Sequence, residues 1–225
     1  MTVLSLFSGD MSQIILSILV RAFVLVAILP VHEFAHAYMA HKLGDDTGKW
    51  NGRMTLNPGA HLDPFGSLMI LLVGIGWAKP VPVDPRNFKN PKSGMAITAL
   101  AGPVSNLIMG FLAMLVLRLV SFIPMTLVVW QAVSFFFTTL ASINISLAVF
   151  NLLPCPPLDG SRIVSYFLPD RWNYKIQQYE RYIWIGLMLL LVVGVLDWPL
   201  AFLGNKVTNG LWWLVNLPFK AFGLV

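Results

Sequence analysis

Apolar residues in this chain run in blocks long enough to cross a lipid bilayer, and most of the charge is collected in the loops between them. Crossing about 30 Å of hydrocarbon takes about 20 predominantly apolar residues. The first such block predicts a helix over residues 12–41, kinked at Pro30, which removes one backbone donor, and ended by Gly44. Residues 45–64 are polar and rich in Gly, Asn and Pro, and "GRMTLNPGAHLDPFG" reads as a short strand-like piece followed by turns. The segment "SLMILLVGIGW" at 67–77 is apolar but too short to span, which predicts a re-entrant or interfacial piece. A proline-rich basic loop follows. A second span is expected at 95–123, with Gly102 and Gly110 small enough for close helix contact and Pro103 as a kink point. A third is expected at 127–153 and a fourth within 181–204. The tail "LWWLVNLPFKAFGLV", with two tryptophans and one lysine, reads as interfacial. The pattern predicts an all-α integral membrane protein, with about four transmembrane helices and a re-entrant, β-containing loop region, as one domain over residues 1–225.

Composition agrees. Of 225 residues, 57% are hydrophobic and 11% charged, where a soluble domain carries about a quarter charged residues. The net charge of +5 does not indicate nucleic acid, because the basic residues form no run with interleaved aromatics. They set topology instead. Lys42, Lys49, Arg53, Lys79, Arg86, Lys89 and Lys92 lie between the first two spans, and Arg162, Arg171, Lys175 and Arg181 follow the third, whereas the turn near Pro124 has no charge. Positive-inside places both basic loops in the cytoplasm, so His32 and His36 fall toward the cytoplasmic side of a multi-pass cell-membrane protein. Cys155 is the single cysteine, which excludes an intrachain disulfide and paired-cysteine zinc sites. The first residues lack a basic n-region and an evident cleavage site, so the first apolar segment is expected to be retained.

One block carries chemistry that hydrocarbon disfavours. "AILPVHEFAHAYMAHKLG" at 27–44 puts His32 and His36 four apart on a helix, one above the other, with Glu33 beside them. This is the H-E-x-x-H pattern in which two histidines hold zinc and the glutamate acts as a base. A catalytic zinc takes three protein ligands and leaves one position for water. The candidates for the third are Asp159, Asp63, His61 and His41. Asp159, at the expected cytoplasmic end of the third span, matches the histidines in depth. Pro154, Pro156 and Pro157 beside it forbid regular helix and free backbone groups that need a protein-lined or watery cavity. The plainer readings are a turn for Asp159 with Gly160, loop duty for His61 and Asp63, a helix-end cation for His41 with Lys42, and a snorkelling cation for Arg118.

"HEFAHA" at 32–37, "NPGAHLDPFG" at 57–66, "GWAKPVPVDPRNFKNP" at 76–91, "AGPVSNL" at 101–107 and "NLLPCPPLDG" at 151–160 together resemble the site-2 protease family of intramembrane zinc metalloproteases. They occur in that family's order from about residue 29 to 163. The resemblance implies one zinc per chain held by His32, His36 and Asp159, with Glu33 catalytic, and so selects Asp159 among the candidates. Asn151 opens the second motif, and its amide is suited to hold substrate backbone or a developing oxyanion. Asn106 and His61 stand at matching positions, with support of the site or of substrate as their implied role. Many relatives insert a PDZ domain between the two motifs, for which this chain has no room, so it resembles a compact member.

The activity implied is hydrolysis of peptide bonds within or near transmembrane segments of membrane-protein substrates, as in regulated intramembrane proteolysis, with the bilayer as setting. Such a substrate must unwind locally, and "GRMTLNP" is a candidate edge to hold it extended. The rival from another class is a metal-binding membrane transporter or non-catalytic scaffold, since intramembrane His and Asp also mark ion paths.

Overall fold

The structure, a computed structural model, describes residues 11–72, 76–221 and 223. These fall into two compact units that part at Gly102–Pro103, inside one helix, and each is taken in its own right.

The first unit begins with α1 (Met11–Phe23), a π-helical turn (Val24–Ile28) and α2 (Leu29–Lys42). Where a kink at Pro30 was expected, the structure has that π turn just before it, in which the Leu29 N–H bonds to the Val24 carbonyl five residues back. The wider turn sits just before Pro30, which has no N–H to continue an ordinary ladder. From Ile18 to Lys42 the 25 residues have a mean hydropathy of 2.0, long and apolar enough to cross a membrane. Gly44 ends α2 as expected: at φ +105° it lets the Gly44 N–H reach the His41 carbonyl and the Asp45 N–H the Ala40 carbonyl. These two bonds satisfy carbonyls that a helix end otherwise leaves open.

The short helix α3 (Thr47–Trp50) and α4 (Pro64–Leu72) follow. The expected strand at 52–58 is not formed: among the described residues there is no strand, only one isolated antiparallel bridge, Leu62 to Ala78. Local chemistry competes with it. Gly52 takes φ +68°, the Asn57 N–H bonds to the Thr55 hydroxyl, and the Asn57 carboxamide accepts from Gly59 at the head of a 3-10 turn. Such side-chain bonds divert the backbone from a ladder. Of the expected re-entrant piece at 67–77, residues 73–75 lie outside the described residues; the part before them is the end of α4. Its last carbonyls, on Leu71 and Leu72, accept from the Arg21 guanidinium at 2.9 and 3.1 Å, a cation meeting the negative end of a helix.

Helix α5 (Pro91–Val120) runs through Pro103 and carries chain from the first unit into the second. It matches the second predicted span, and α6 (Leu127–Asn151) the third. In the second unit Ala113 and Met114 of α5 pack with Ala141, Ile145 and Val149 of α6. Gly110 permits the approach, since a Cβ there would stand 3.3 Å from Ile145 Cγ1.

Helices α7 (Asp159–Phe167), α8 (Asp170–Gln178), α9 (Glu180–Val192) and α10 (Asp197–Ala221) complete the unit. The fourth span differs from expectation. Chain expected to cross in one piece is broken at Gly194, at φ +80°, and α9 and α10 meet at 84°. At 13 residues α9 is about 20 Å long, too short to cross alone. The described chain therefore has three helices able to span, or up to four if the bent pair is one span. The tail differs as well. Most of it continues α10, whose Val215 is buried in the α5–α6 core with Leu211, Trp212 and Phe219 packed around it. The spacing of those residues is helical, and it gives α10 an apolar stripe to bury. Exposed side chains such as Leu127, Val128, Val192 and Val193 leave apolar surface outside, as a bilayer setting requires.

Candidate metal centre

Helix α2 presents His32 and His36 one turn apart, both buried. Their rings meet edge to face with centroids 4.7 Å apart, and their Nε2 atoms stand 3.1 Å from each other. His36 Nδ1 lies 2.8 Å from the Thr98 carbonyl of α5. A carbonyl only accepts, so Nδ1 carries the proton and the His36 Nε2 lone pair faces His32. That second bond fixes tautomer and ring orientation, as in most metal-ligating histidines. Two nitrogens at about 2.05 Å from one tetrahedral ion stand about 3.3 Å apart. The observed 3.1 Å fits a shared zinc ion.

Room for the pair comes from Gly102. A Cβ on that residue would lie 2.3 Å from His36 Nε2, 2.5 Å from His36 Cε1 and 2.6 Å from His32 Cε1, inside any real contact. Thr98 and Gly102 are one turn apart on α5, so one helix face both orients the pair and makes space for it. Sequence reasoning marked Gly102 only as a small residue and missed the Thr98 carbonyl, because a backbone acceptor leaves no trace in residue type. Glu33, the next residue along α2 from His32, is partly exposed.

The other candidates of the first unit have separate employment. Asp63 accepts from the Gly66 N–H at 2.7 Å, capping α4 just ahead of Pro64. His41 pairs with Asp46 at 2.5 Å near the surface. His61 is fully buried. Its Nε2 donates to the Thr55 carbonyl at 2.8 Å, and its own carbonyl accepts from the Lys79 N–H at 2.8 Å. The Arg53 guanidinium joins the same knot through the Ala60 and Lys79 carbonyls. His61 thus braces the loop that carries it.

In the second unit Asp159 is the first residue of α7, after an extended Leu158. The Asp-Gly pair, plainly a turn by residue type, opens a helix instead. Gly160 shows why glycine is needed: a Cβ there would lie 2.3 and 2.4 Å from the Leu152 and Leu153 carbonyl oxygens. The start of α7 is therefore seated against the end of α6. Gly160→Ala pushes a methyl against backbone that cannot rotate away, and is expected to destabilise the unit by about 1–3 kcal/mol. Thermal unfolding in detergent reads this as a lower midpoint; an unchanged midpoint would show that the seat is not tight.

Three asparagines mark the α5 and α6 helices of this unit. Asn151 Nδ2 donates to the Leu147 carbonyl at 3.0 Å. Asn106 is buried with neither amide atom bonded to a protein group among the described residues. Asn144, which no motif singled out, is fully buried, donates to the Leu140 carbonyl at 2.9 Å and has no partner for its Oδ1 among the described residues. Buried amides with unused capacity are costly unless water or a ligand engages them.

Comparison with known proteins adds to this geometry. The sequence profile of Peptidase family M50 matches residues 20–195. YwhC of Bacillus subtilis is 42% identical over 78% of this chain and 83% of its own length. Rip2 of Mycobacterium tuberculosis is 30% identical over 75% of this chain and 65% of its own length. MJ0611 of Methanocaldococcus jannaschii is 29% identical over 78% and 83%. All three are named as candidate zinc metalloproteases. No solved structure matches. With the profile covering most of the chain, histidine pair included, this protein belongs to Peptidase family M50.

Proposed function

We propose that the protein is a zinc metalloprotease that cuts peptide bonds within or near transmembrane segments of membrane proteins, as in regulated intramembrane proteolysis. The observation that carries the reading is the His32–His36 pair, with facing Nε2 atoms 3.1 Å apart and one ring locked by the Thr98 carbonyl. We take His32 and His36, with Asp159 as the third donor, for the metal ligands, and their donor types suit zinc. Membership of Peptidase family M50 and the zinc-metalloprotease names of the relatives support the same choice.

Held by His32, His36 and Asp159, zinc would supply Lewis-acid polarisation of the scissile carbonyl and a water of lowered pKa, about 7. Glu33, beside the first ligand, takes the proton from the attacking water and passes it to the leaving amine. Asn151 offers its amide to the developing oxyanion or to substrate backbone, and Asn106 holds further unused donors for the same task. His61 supports the loop between the two halves of the motif set. The active site faces the cytoplasm of a cell membrane, a reading supported by the basic loops on either side of the uncharged turn near Pro124.

The test is metal removal and return in detergent-solubilised protein, using a substrate whose transmembrane helix exists with and without a helix-breaking residue near the cut. A chelator is expected to abolish cleavage and zinc to restore it, with the helix-broken substrate cut faster. Cleavage that survives complete zinc removal would sink the reading. Equal rates on both substrates would show that local unwinding is not required.

A further inference from the structure

Asp45 is fully buried in the first unit, and no motif or proposed role accounts for it. Its backbone N–H closes the last turn of α2 on the Ala40 carbonyl at 2.9 Å. Its carboxylate accepts from the Thr47 N–H at 3.1 Å, the Thr47 hydroxyl at 2.5 Å, the Asn87 amide at 2.7 Å and the Asp84 N–H at 2.9 Å. Four neutral donors thus meet one buried anion, three on Oδ1 and one, the Asp84 N–H, on Oδ2. One residue thereby ties the end of the helix that carries His32, Glu33 and His36 to the segment around Asp84–Asn87.

The tie continues through packing. Gly48 sits between that segment and α2: a Cβ there would meet Val81 Cγ1 at 3.1 Å, the Pro82 carbonyl oxygen at 3.5 Å and Ala37 Cβ at 3.6 Å. Ala37 is fully buried and adjoins His36 in sequence. Gly44 is close to the same segment, its Cβ position 3.3 Å from the Asn87 carbonyl oxygen. Close-packed groups with no free space transmit displacement instead of absorbing it.

We propose that Asp45 is a positioning residue for the metal-binding helix: its carboxylate clasps residues 84–87, and through Val81, Pro82 and Gly48 that segment presses α2 into the register that sets the histidine pair. The importance of this for catalysis rests on the zinc-protease reading, whereas the mechanical coupling does not. Asparagine at this position keeps one acceptor oxygen and turns an N–H group toward donors, so Asp45→Asn breaks part of the clasp with almost no change of shape.

The experiment is hydrogen exchange on the full-length protein in detergent, comparing wild type, Asp45→Asn and the milder Asn87→Ala, with zinc affinity measured by chelator competition. Loss of hydrogen bonds to a buried charge is expected to speed exchange about tenfold or more at 81–88 and also at 36–43, with residues 141–149 of the second unit unchanged. Zinc affinity is expected to fall about tenfold, in the range for lost support of a metal ligand. Asn87→Ala should move both in the same direction by less, and it covers the case in which Asp45→Asn does not fold. Faster exchange at 81–88 with 36–43 and zinc affinity unchanged would overturn the proposal, leaving Asp45 as a loop brace. Should the wild type neither hold zinc nor cut, the protease reading fails separately, and the exchange comparison still decides the coupling.

Discussion

Glu33→Gln is expected to lower kcat by about 10²- to 10⁴-fold, the usual contribution of a positioned acid–base group, while the zinc content stays that of the wild type. The change is nearly isosteric and removes only the ability to take and return a proton. Glu33 sits on α2 beside two buried histidines that have their own orienting contacts, the Thr98 carbonyl among them, so the pair does not depend on it for its shape. Metal analysis beside a cleavage assay separates the readings. Zinc retained with cleavage lost marks a hydrolytic site. Zinc retained in both proteins with no cleavage by either, over a broad panel of membrane substrates, would move a metal-carrying or binding role ahead.

Gly102→Ala should produce the second largest effect, and on binding instead of turnover. A methyl cannot occupy a point 2.3 Å from His36 Nε2 and 2.6 Å from His32 Cε1. One ring or helix α5 must move by roughly 1 Å, several times the tolerance of a zinc–nitrogen bond. Zinc affinity is expected to fall by about 100-fold, the upper end for disturbed support of a ligand. Helix propensity works in the opposite direction, favouring alanine over glycine by up to about 1 kcal/mol, so lost affinity cannot be blamed on a weakened helix. Gly186→Ala is the control, because nothing lies within 4 Å of its Cβ position; it should leave zinc binding alone and stabilise α9 slightly. Wild-type affinity in Gly102→Ala would show that the pair does not hold the metal in this geometry.

Much of the architecture could be read from residue order. The three long apolar runs became the helices 18–42, 91–120 and 127–151, since length and hydropathy govern what can cross hydrocarbon. Gly44 ended α2 where expected because few other residues adopt the φ it needs. The errors arose where apolar character was the signal but packing chose the outcome. "LWWLVNLPFKAFGLV" has the composition of an interfacial tail, yet Val215 is buried against α5 and α6. "GRMTLNP" has strand-like alternation, yet its Thr, Asn and Gly residues satisfy the backbone locally.

The sequence by itself determined the donor types and the spacing of the first three: His32, Glu33 and His36 on one helix, with the Asp159 carboxylate beyond the third apolar run. That much is local, because a 3.6-residue period and side-chain chemistry do not depend on distant chain. Only tertiary structure decided which nitrogen of His36 faces His32, through the carbonyl of Thr98 sixty-two residues away. The same holds for the need for glycine at 102 and at 160 and for the donors that gather on Asp45. These features rest on backbone atoms and on space left unfilled, and neither is written in the identity of any single residue.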